Sequence, residues 1–540
     1  MRNIILRDKI FVIILSFITF FAFNTALPTD IMESRNIVTA RDIVASGNWL
    51  VPTMNGELRL EKPPLPTWVA GAIETVCPHF LGAQRAAAGV MGLVWTLFLY
   101  LFAKLLSGRR QLALLTVMVF LTSYHIVVMG RTATWDIYCH AFMMGAIYFL
   151  ARGLLDDRRQ QWRWFPTAGL MMGLSFLSKG PVSFYALLLP ALIALIAYLH
   201  PSMKGKWPAF VVMIVICLVV GGWWYLYLLV FQPQAVDAVI HKETGAWTGH
   251  NVRPWYYYWR FFTETGVWAV MMLAALAVPY WRKRLHDHRT YLFAIVWTLS
   301  ALVLLSLMPE KKIRYLLPMM APCALSVACL IEQVLTAPDR FAVIALSITG
   351  YLVAVVCLAL PVPVFMFHWV SLPLAILITV LAVALAIWLM RSTYRRQPVN
   401  LVYGICALFM LLEIFLLKPI GEVFGNPDEH SIGLTQAMPS VKTLPFYHAK
   451  DDELRIELVY EAGKDILPIN VSDSASVMRR VPFVLVSHGY AAQVLPPAVL
   501  QHVDTLSLGV FDDNKHPKTD RHYTKDFLTR ATVIKAKTNK

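Results

Sequence analysis

The chain has 540 residues, 58% of them hydrophobic and 15% charged, with a formal net charge of +15 and a mean hydropathy of +0.57. Soluble domains carry about 25% charged residues, so the composition excludes a soluble globular protein and points to a polytopic α-helical membrane protein. The positive balance does not indicate nucleic-acid binding, because Lys and Arg sit beside apolar runs, where they anchor to acidic lipid headgroups.

A span needs about 20 apolar residues. In chain order the predicted spans are 9–27, 84–105, 111–130, 136–153, 165–179, 181–199, 208–230, 263–281, 290–308, 315–333, 341–360, 370–390 and 399–418, about thirteen with 165–179 the shortest. The first run is long for a signal-peptide core and lacks a small-residue cleavage site, so it reads as a retained helix. Arg2, Arg7 and Lys9, Arg109 and Arg110, the run Asp156 to Arg163, Lys204 and Lys206, Arg282 to Arg284, and Arg391 with Arg395 and Arg396 all fall on one side. The positive-inside rule makes that side cytoplasmic, with the N-terminus on it. The odd span count then puts the C-terminal tail outside.

The first outer segment, 27–66, crowds Asp30, Glu33, Asp42, Glu57 and Glu61 with Arg35, Arg41, Arg59 and Lys62. Asp30 and Glu33 have capping-box spacing, and a cap lying over a cavity can also face substrate. Ile31 to Ser46 reads as an amphipathic helix lying flat on the membrane, with Ile37, Val38 and Val44 on one face and Gly47 as its stop. Trp49 suits an interfacial anchor. Lys62 reads either as a surface partner of Glu61, worth little, or as a phosphate ligand.

Asp136 opens a span on the outer side, where it serves as a helix-end partner or as a catalytic carboxylate; ionisable groups at membrane depth favour the second role. Lys179, in an outer turn, either snorkels or binds ligand. In the loop 231–262, Arg253 and His241 are pocket candidates, and Glu61 with His241 forms a two-residue candidate for a divalent metal without a spacing signature. Pro309 to Arg314 places Lys311, Lys312 and Arg314 outside, against the charge rule. A bound phosphate gives these cations a reason, Arg as a fork and Lys as a point charge. The seven cysteines show no disulfide or zinc spacing. Beyond residue 420 the composition becomes that of a small soluble α/β domain, 421–540. There Glu453 to Tyr460 and Val481 to Ser487 read as strands and Ser472 to Arg479 as a short helix. It carries no catalytic motif and reads as a cap or a substrate-guiding platform.

Together these residues resemble the ArnT-like integral-membrane glycosyltransferases of the GT-C fold and their relatives among protein O-mannosyltransferases. The family's first outer loop begins Asp-Glu-x-Arg, continues Ser-Gly-Asp-Trp and Val-Pro, then Phe-Glu-Lys-Pro. Here stand Met32-Glu33-Ser34-Arg35, then Ser46-Gly47-Asn48-Trp49-Leu50-Val51-Pro52, then Leu60-Glu61-Lys62-Pro63. Asp136, Ser178-Lys179-Gly180 and Lys312-Ile313-Arg314-Tyr315-Leu316-Leu317 match later family positions. Met32 replaces the family's leading Asp, so either Asp30 substitutes for it or Glu33 works with Asp136.

The resemblance implies a GT-C membrane domain over 1–420 and sugar transfer from a polyprenyl (undecaprenyl) phosphate carrier at the outer face of the inner membrane. The implied acceptor is lipid A phosphate, receiving an aminoarabinose-type sugar, or alternatively a protein or glycan hydroxyl. Asp136, Glu33 and Asp30 are the expected catalytic carboxylates. Lys62 and Arg314, with Arg35, Lys179, Arg253, Lys311, Lys312 and Tyr315, are expected to bind substrate. No cofactor is required. The competing class, a lipid-linked glycan flippase, more usually shows paired repeats and mid-membrane polar residues, whereas here the ionisable residues gather at one face.

Overall fold

The structure, a computed structural model, describes residues 2–249, 251–423, 429–514 and 516–537. The chain forms two compact units. The first comprises the first 25 residues, Leu60–Pro66 and Leu81–Pro419; the second comprises Ala26–Arg59, Thr67–Phe80 and the chain from Ile420 onward. Most of the first outer loop, through Arg59, thus groups with the tail while Leu60–Pro66 stays with the membrane helices, a division different from a single cut at 420.

In the first unit, eight helices among the described residues are long and apolar enough to cross a membrane: Leu81–Ser107, Trp135–Leu155, Trp207–Phe231, His288–Leu307, Ile313–Thr336, Arg340–Met366, Leu372–Tyr394 and Pro398–Glu422. Arg110–Leu121 and Phe184–Leu199 are shorter apolar helices. The expected span 263–281 is not one helix. It is a 3-10 segment, Trp255–Trp268, followed by Ala269–Ala275 and Val278–Trp281. Gly266, at φ 63° and ψ −120°, breaks the first of these, a conformation that costs glycine least.

Small residues set one close helix pair. An added Cβ at Gly169, on Gln161–Lys179, would lie 2.3 Å from the Met213 carbonyl oxygen on Trp207–Phe231, and one at Gly173 would lie 2.6 Å from the Val220 Cβ. Backbones this close need glycine, as in small-residue membrane packing. Gly169→Ala is expected to cost about 1–3 kcal/mol by forcing the helices apart. Thermal unfolding of detergent-solubilised protein checks it, and an unchanged midpoint refutes the tight contact.

Two ionic ties, the first fully buried and the second half-buried, brace the bundle. At one end Arg131, 1% exposed, donates to the carbonyls of Thr19 (2.5 Å), Ala22 (3.0 Å) and Val127 (2.9 Å), and lies 3.6 Å from Glu413. Elsewhere Arg109 pairs with Asp287 and, at 3.0 Å, with Glu332. Asp287 in turn caps His288–Leu307 through the Thr290 amide.

In the second unit the helix Ile31–Ser46 forms with the expected ends. Asp30 Oδ1 accepts from the amides of Met32 and Glu33, both at 2.8 Å, and Gly47 closes the helix at φ 71°. Of its expected apolar face, Ile37 and Val38 are buried but Val44 is exposed, and burial extends to polar residues, which departs from the simple amphipathic pattern. Glu33, Asn36 and Asp42 are all buried, and Asn36 Oδ1 accepts from Thr67 Oγ1 at 2.8 Å. Trp49, expected as an interfacial anchor, instead packs its ring on Gly71 and accepts from Trp68 Nε1 at 2.6 Å through its carbonyl. A hairpin follows, β1 (Thr53–Met54) and β2 (Glu57–Leu58). Asn55 between these strands clamps Ile466 with two hydrogen bonds, of 2.9 and 2.8 Å.

The sheet comprises β3 (Phe446–Ala449), β4 (Ile466–Ile469), β5 (Phe483–Ser487), β6 (Val503–Asp512) and β7 (Leu528–Ala536), in the order β4-β3-β5-β7-β6. The pairs β3–β4 and β3–β5 are parallel, and β5–β7 and β6–β7 are antiparallel. Alternating residues feed two apolar layers: Phe446, Val484, Val486 and Val533 with Val38 on one face, and Ile469, Phe483, Leu485 and Ile534 on the other. The strand expected at Val481–Ser487 and the helix at Ser472–Arg479 are present as β5 and Ser474–Arg480. The strand expected over Glu453–Tyr460 is instead the helix Ile456–Ala462, ended by Gly463 at φ 71°. Its buried residues Leu458, Val459 and Ala462 follow helical spacing.

Asp42 Oδ2 accepts from Thr53 Oγ1 (3.1 Å) and the Gly56 amide (3.2 Å). Burial, together with the neighbouring Asp42 carboxylate, pushes the Asp465 carboxyl up to about 7. The folded chain therefore keeps a proton that the unfolded chain releases near an ordinary value of about 4. Stability from this group is full below that value and is lost as pH rises through about 7. Asp465→Asn removes the titration, so its unfolding midpoint is expected to rise relative to the natural chain between pH 5 and pH 8. A constant difference across that range refutes the pairing.

Candidate active site

Asp136 is the second residue of Trp135–Leu155, and the preceding Thr134 supplies no side-chain cap. Its carboxylate is 6% exposed and pairs with the Lys179 ammonium. Lys179 ends Gln161–Lys179, and Gly180, at φ 69°, turns the chain away immediately afterwards. The Lys179 ammonium also lies 5.7 Å from the centre of the Tyr315 ring, and the charge of Arg314 reaches the same carboxylate. One carboxylate, two cations and a phenol therefore converge at the start of a membrane helix. Below them is a cavity of about 310 Å³ lined by Asp136, Tyr315 and Glu310, with Tyr185, Leu305 and Met308 among its other walls. A polar head over an apolar chamber fits an amphiphile whose charged group stays at the rim.

The segment after His288–Leu307 explains much of the outer charge. Lys311 is 4% exposed and donates to the Met308 carbonyl, so it fastens its own loop. Lys312 pairs with Glu310 at 2.6 Å, and Tyr315 donates to the same Glu310 at 3.3 Å. The Tyr258 hydroxyl accepts from the Lys312 amide and donates to its carbonyl, both at 3.0 Å. Arg253 is exposed, and its amide donates to the Pro309 carbonyl at 3.3 Å. Val252 and Glu310 form an antiparallel bridge. Arg253, Lys312, Arg314 and Tyr315 are thus carried on two strapped segments.

Lys62 is half-buried in Leu60–Pro66, in the same unit as Asp136. Its neighbour Glu61 accepts from Lys242 at 2.8 Å, while His241 is exposed and lies 3.7 Å from Asp237. Glu61 and His241 therefore face different partners. Among the described residues no group of three His, Cys, Asp or Glu could hold a metal. Asp30, Glu33 and Arg35 lie in the second unit. Asp30 is the helix cap and Glu33 is fully buried. Arg35 lines a polar cleft of about 710 Å³ with His448, Lys450 and Arg455.

Three residues of the site carry no sequence signal of their own. His140 lies one turn after Asp136, 1% exposed and lining the same cavity; its i+4 spacing from Asp136 was the available clue. Tyr185 donates to the Leu304 carbonyl at 2.5 Å. Tyr258 stands among Trp255, Tyr256, Tyr257 and Trp259, from which no local pattern distinguishes it.

This architecture defines a polytopic helical membrane protein with a C-terminal mixed-sheet domain. Residues 61–225, which include Asp136 and Lys179, match the family model described as dolichyl-phosphate-mannose-protein mannosyltransferase. The undecaprenyl phosphate-alpha-4-amino-4-deoxy-L-arabinose arabinosyl transferase 2 of Proteus mirabilis is 24% identical over 361 residues, 65% of this chain and 63% of its own length. A Shewanella sediminis arabinosyl transferase of the same description is 28% identical over 319 residues, 55% of this chain and 54% of its own. The chain thus spans less than two thirds of the length of these curated relatives. The crystal structure of ArnT from Cupriavidus metallidurans bound to undecaprenyl phosphate superposes with a TM-score of 0.70 at 17% identity, covering 97% of both chains. The chain is ArnT-like in sequence and in fold.

Proposed function

We propose that the protein is a membrane glycosyltransferase that moves a sugar from a polyprenyl phosphate carrier to an acceptor at the outer face of the bacterial inner membrane. The observation that carries this reading is the Asp136–Lys179 pair with Arg314 and Tyr315 at the rim of an apolar cavity. The carrier tail occupies apolar space and its phosphate lies among the cations. The acceptor oxygen attacks the anomeric carbon. The bond from that carbon to the carrier phosphate breaks, and its electrons leave with the phosphate. Arg314, Lys62 and Lys312 stabilise that leaving charge, and Asp136 steadies the positive character at the anomeric carbon. Lys179 pairs with Asp136 and orients it.

The favoured acceptor is a lipid A phosphate receiving an aminoarabinose-type sugar, supported by the relatives' described activity. A phosphate is already an anion and attacks without a base. The second reading is a protein or glycan hydroxyl acceptor, favoured by the mannosyltransferase family model over 61–225. The N-terminus is cytoplasmic and the C-terminal domain faces the periplasm, and the eight long and two shorter apolar helices supply most of the crossings. No cofactor is needed, because the chain supplies the cations for the leaving phosphate, and EDTA is expected to leave the rate unchanged.

The test is purified protein in liposomes with labelled polyprenyl-phosphate sugar and either lipid A or acceptor peptide. Label on lipid A supports the first reading and label on peptide the second. Movement of intact donor between leaflets without transfer overturns both.

A further inference from the structure

A second cavity opens at another level of the first unit. Its volume is about 780 Å³, and its floor is apolar, made by Phe11, Leu114, Leu115, Met118, Val402 and Ala407. Its rim is polar, with Arg7 and Arg110 as its two cations and Trp388 and Tyr403 as amphipathic walls. The one carboxylate there, Asp8, is engaged by the Tyr403 hydroxyl at 2.5 Å. Arg7 and Arg110 are both exposed, and neither makes an ion pair among the described residues.

This cavity is separate from the one beneath Asp136. Helix Arg2–Phe21 ties its far end to Arg131, through the carbonyls of Thr19 and Ala22, five residues before Asp136. Arg7 lies near the other end of that helix, twelve residues from Thr19 and hence about 18 Å along its axis. The two cavities therefore open toward opposite ends of the bundle.

An apolar trough with two unpaired guanidiniums at its lip and its only acid already bonded calls for a particular amphiphile. Acyl chains satisfy the floor. An anionic phosphate bridging Arg7 and Arg110 satisfies both forks with charge-assisted hydrogen bonds. Trp388 and Tyr403 suit the boundary between chain and headgroup. A zwitterionic phospholipid brings a cation to the same rim and is disfavoured. We propose that this groove is a binding site for an anionic glycerophospholipid, with its phosphate between Arg7 and Arg110 and its chains against Leu114, Met118 and Val402. Basic pockets between membrane helices bind anionic headgroups in this way.

The experiment is native mass spectrometry of the full-length protein after exchange into mixed micelles with phosphatidylglycerol or phosphatidylcholine. The natural chain is expected to retain one phosphatidylglycerol through a rising collision-energy ramp and to lose phosphatidylcholine early. Arg7→Gln with Arg110→Gln is expected to weaken phosphatidylglycerol retention about tenfold or more, the scale of losing hydrogen bonds to a charged group. Lys283→Gln with Arg395→Gln removes the same charge at exposed positions outside the groove and is expected to leave retention intact. Equal weakening in both double variants, or equal retention of the two lipids, overturns the site. So does release of the lipid by millimolar inorganic phosphate, which assigns the rim to a free anion. Circular dichroism and size exclusion of the Arg7→Gln/Arg110→Gln protein separate lost binding from lost folding, and Arg7→Lys/Arg110→Lys, which keeps the charge, is expected to restore part of the retention.

Discussion

Asp136→Asn is expected to abolish sugar transfer to a hydroxyl acceptor and only to weaken transfer to a phosphate. The Asn side chain keeps the shape of the site but loses the charge that Lys179 faces. A hydroxyl nucleophile needs a proton acceptor, and losing a positioned base costs typically 10²–10⁴-fold. A phosphate nucleophile needs no base. For it the variant forfeits only the electrostatic support of the sugar and the order imposed on Lys179, a loss on the order of 10–10²-fold, below that of a missing oxyanion-type donor. The comparison is made by single-turnover transfer with each acceptor at saturating donor. Equal losses with both acceptors would count against the division of labour, and a wild-type rate with either would remove Asp136 from the chemistry. Lys179→Met is the companion variant: it leaves a buried carboxylate without its main counter-charge and is expected to reduce rates with both acceptors.

Arg131→Ala is expected to be the most destabilising single change in the membrane unit. It removes three hydrogen bonds to the carbonyls of Thr19, Ala22 and Val127 and strips Glu413 of its guanidinium partner. Breaking a buried ion pair from one side costs about 3–5 kcal/mol, because the remaining charge stays buried. Arg131→Met with Glu413→Leu removes both charges and is expected to lose less than Arg131→Ala alone, since an apolar pair of similar volume avoids that penalty. Denaturant titration in detergent, with both variants measured beside the natural chain, decides it. A double variant as weak as the single one would mean that the carbonyl hydrogen bonds, not the ion pair, carry the effect. Activity is also expected to fall in Arg131→Ala, because the anchored residue lies five positions before Asp136.

The caps and the long spans were readable because their signals are local. Asp30 and Gly47 bracket Ile31–Ser46 as expected, since a cap depends only on its own turn. Spans such as Trp207–Phe231 and Leu372–Tyr394 declare themselves by apolar length. The segment Glu453–Tyr460 misled because Leu454, Ile456, Leu458 and Tyr460 alternate as in a strand. Val459 and Ala462 decide for a helix only once their apolar partners are known, and Gly463 was an overlooked stop signal. The site divided in the same way. Asp136, Lys179 and Tyr315 were named from motif and position. The Asp136–Lys179 pairing, the inward turn of Lys311 and the presence of His140 in the cavity wall depend on helix packing that no local pattern encodes. The burial of Ile31–Ser46 was illegible for the same reason: Asn36 is held by Thr67, while Arg41 donates to the Tyr460 carbonyl 419 residues on and Val38 packs under the tail's sheet.

That last distance has a consequence for how the protein is made. Asn55 clamps Ile466 across 411 residues, and Val38 is sealed by Phe446, Val484 and Val533. At ribosomal rates of about 5–20 residues per second, the first loop therefore waits about 20–80 s for its partners to emerge. During that interval Val38, nearly fully buried in the finished fold, lacks its final cover while most of the membrane helices are still being inserted. The loop is among the first segments synthesised and among the last to mature, so nascent chains arrested before residue 446 are expected to expose it to protease while chains released after residue 536 protect it.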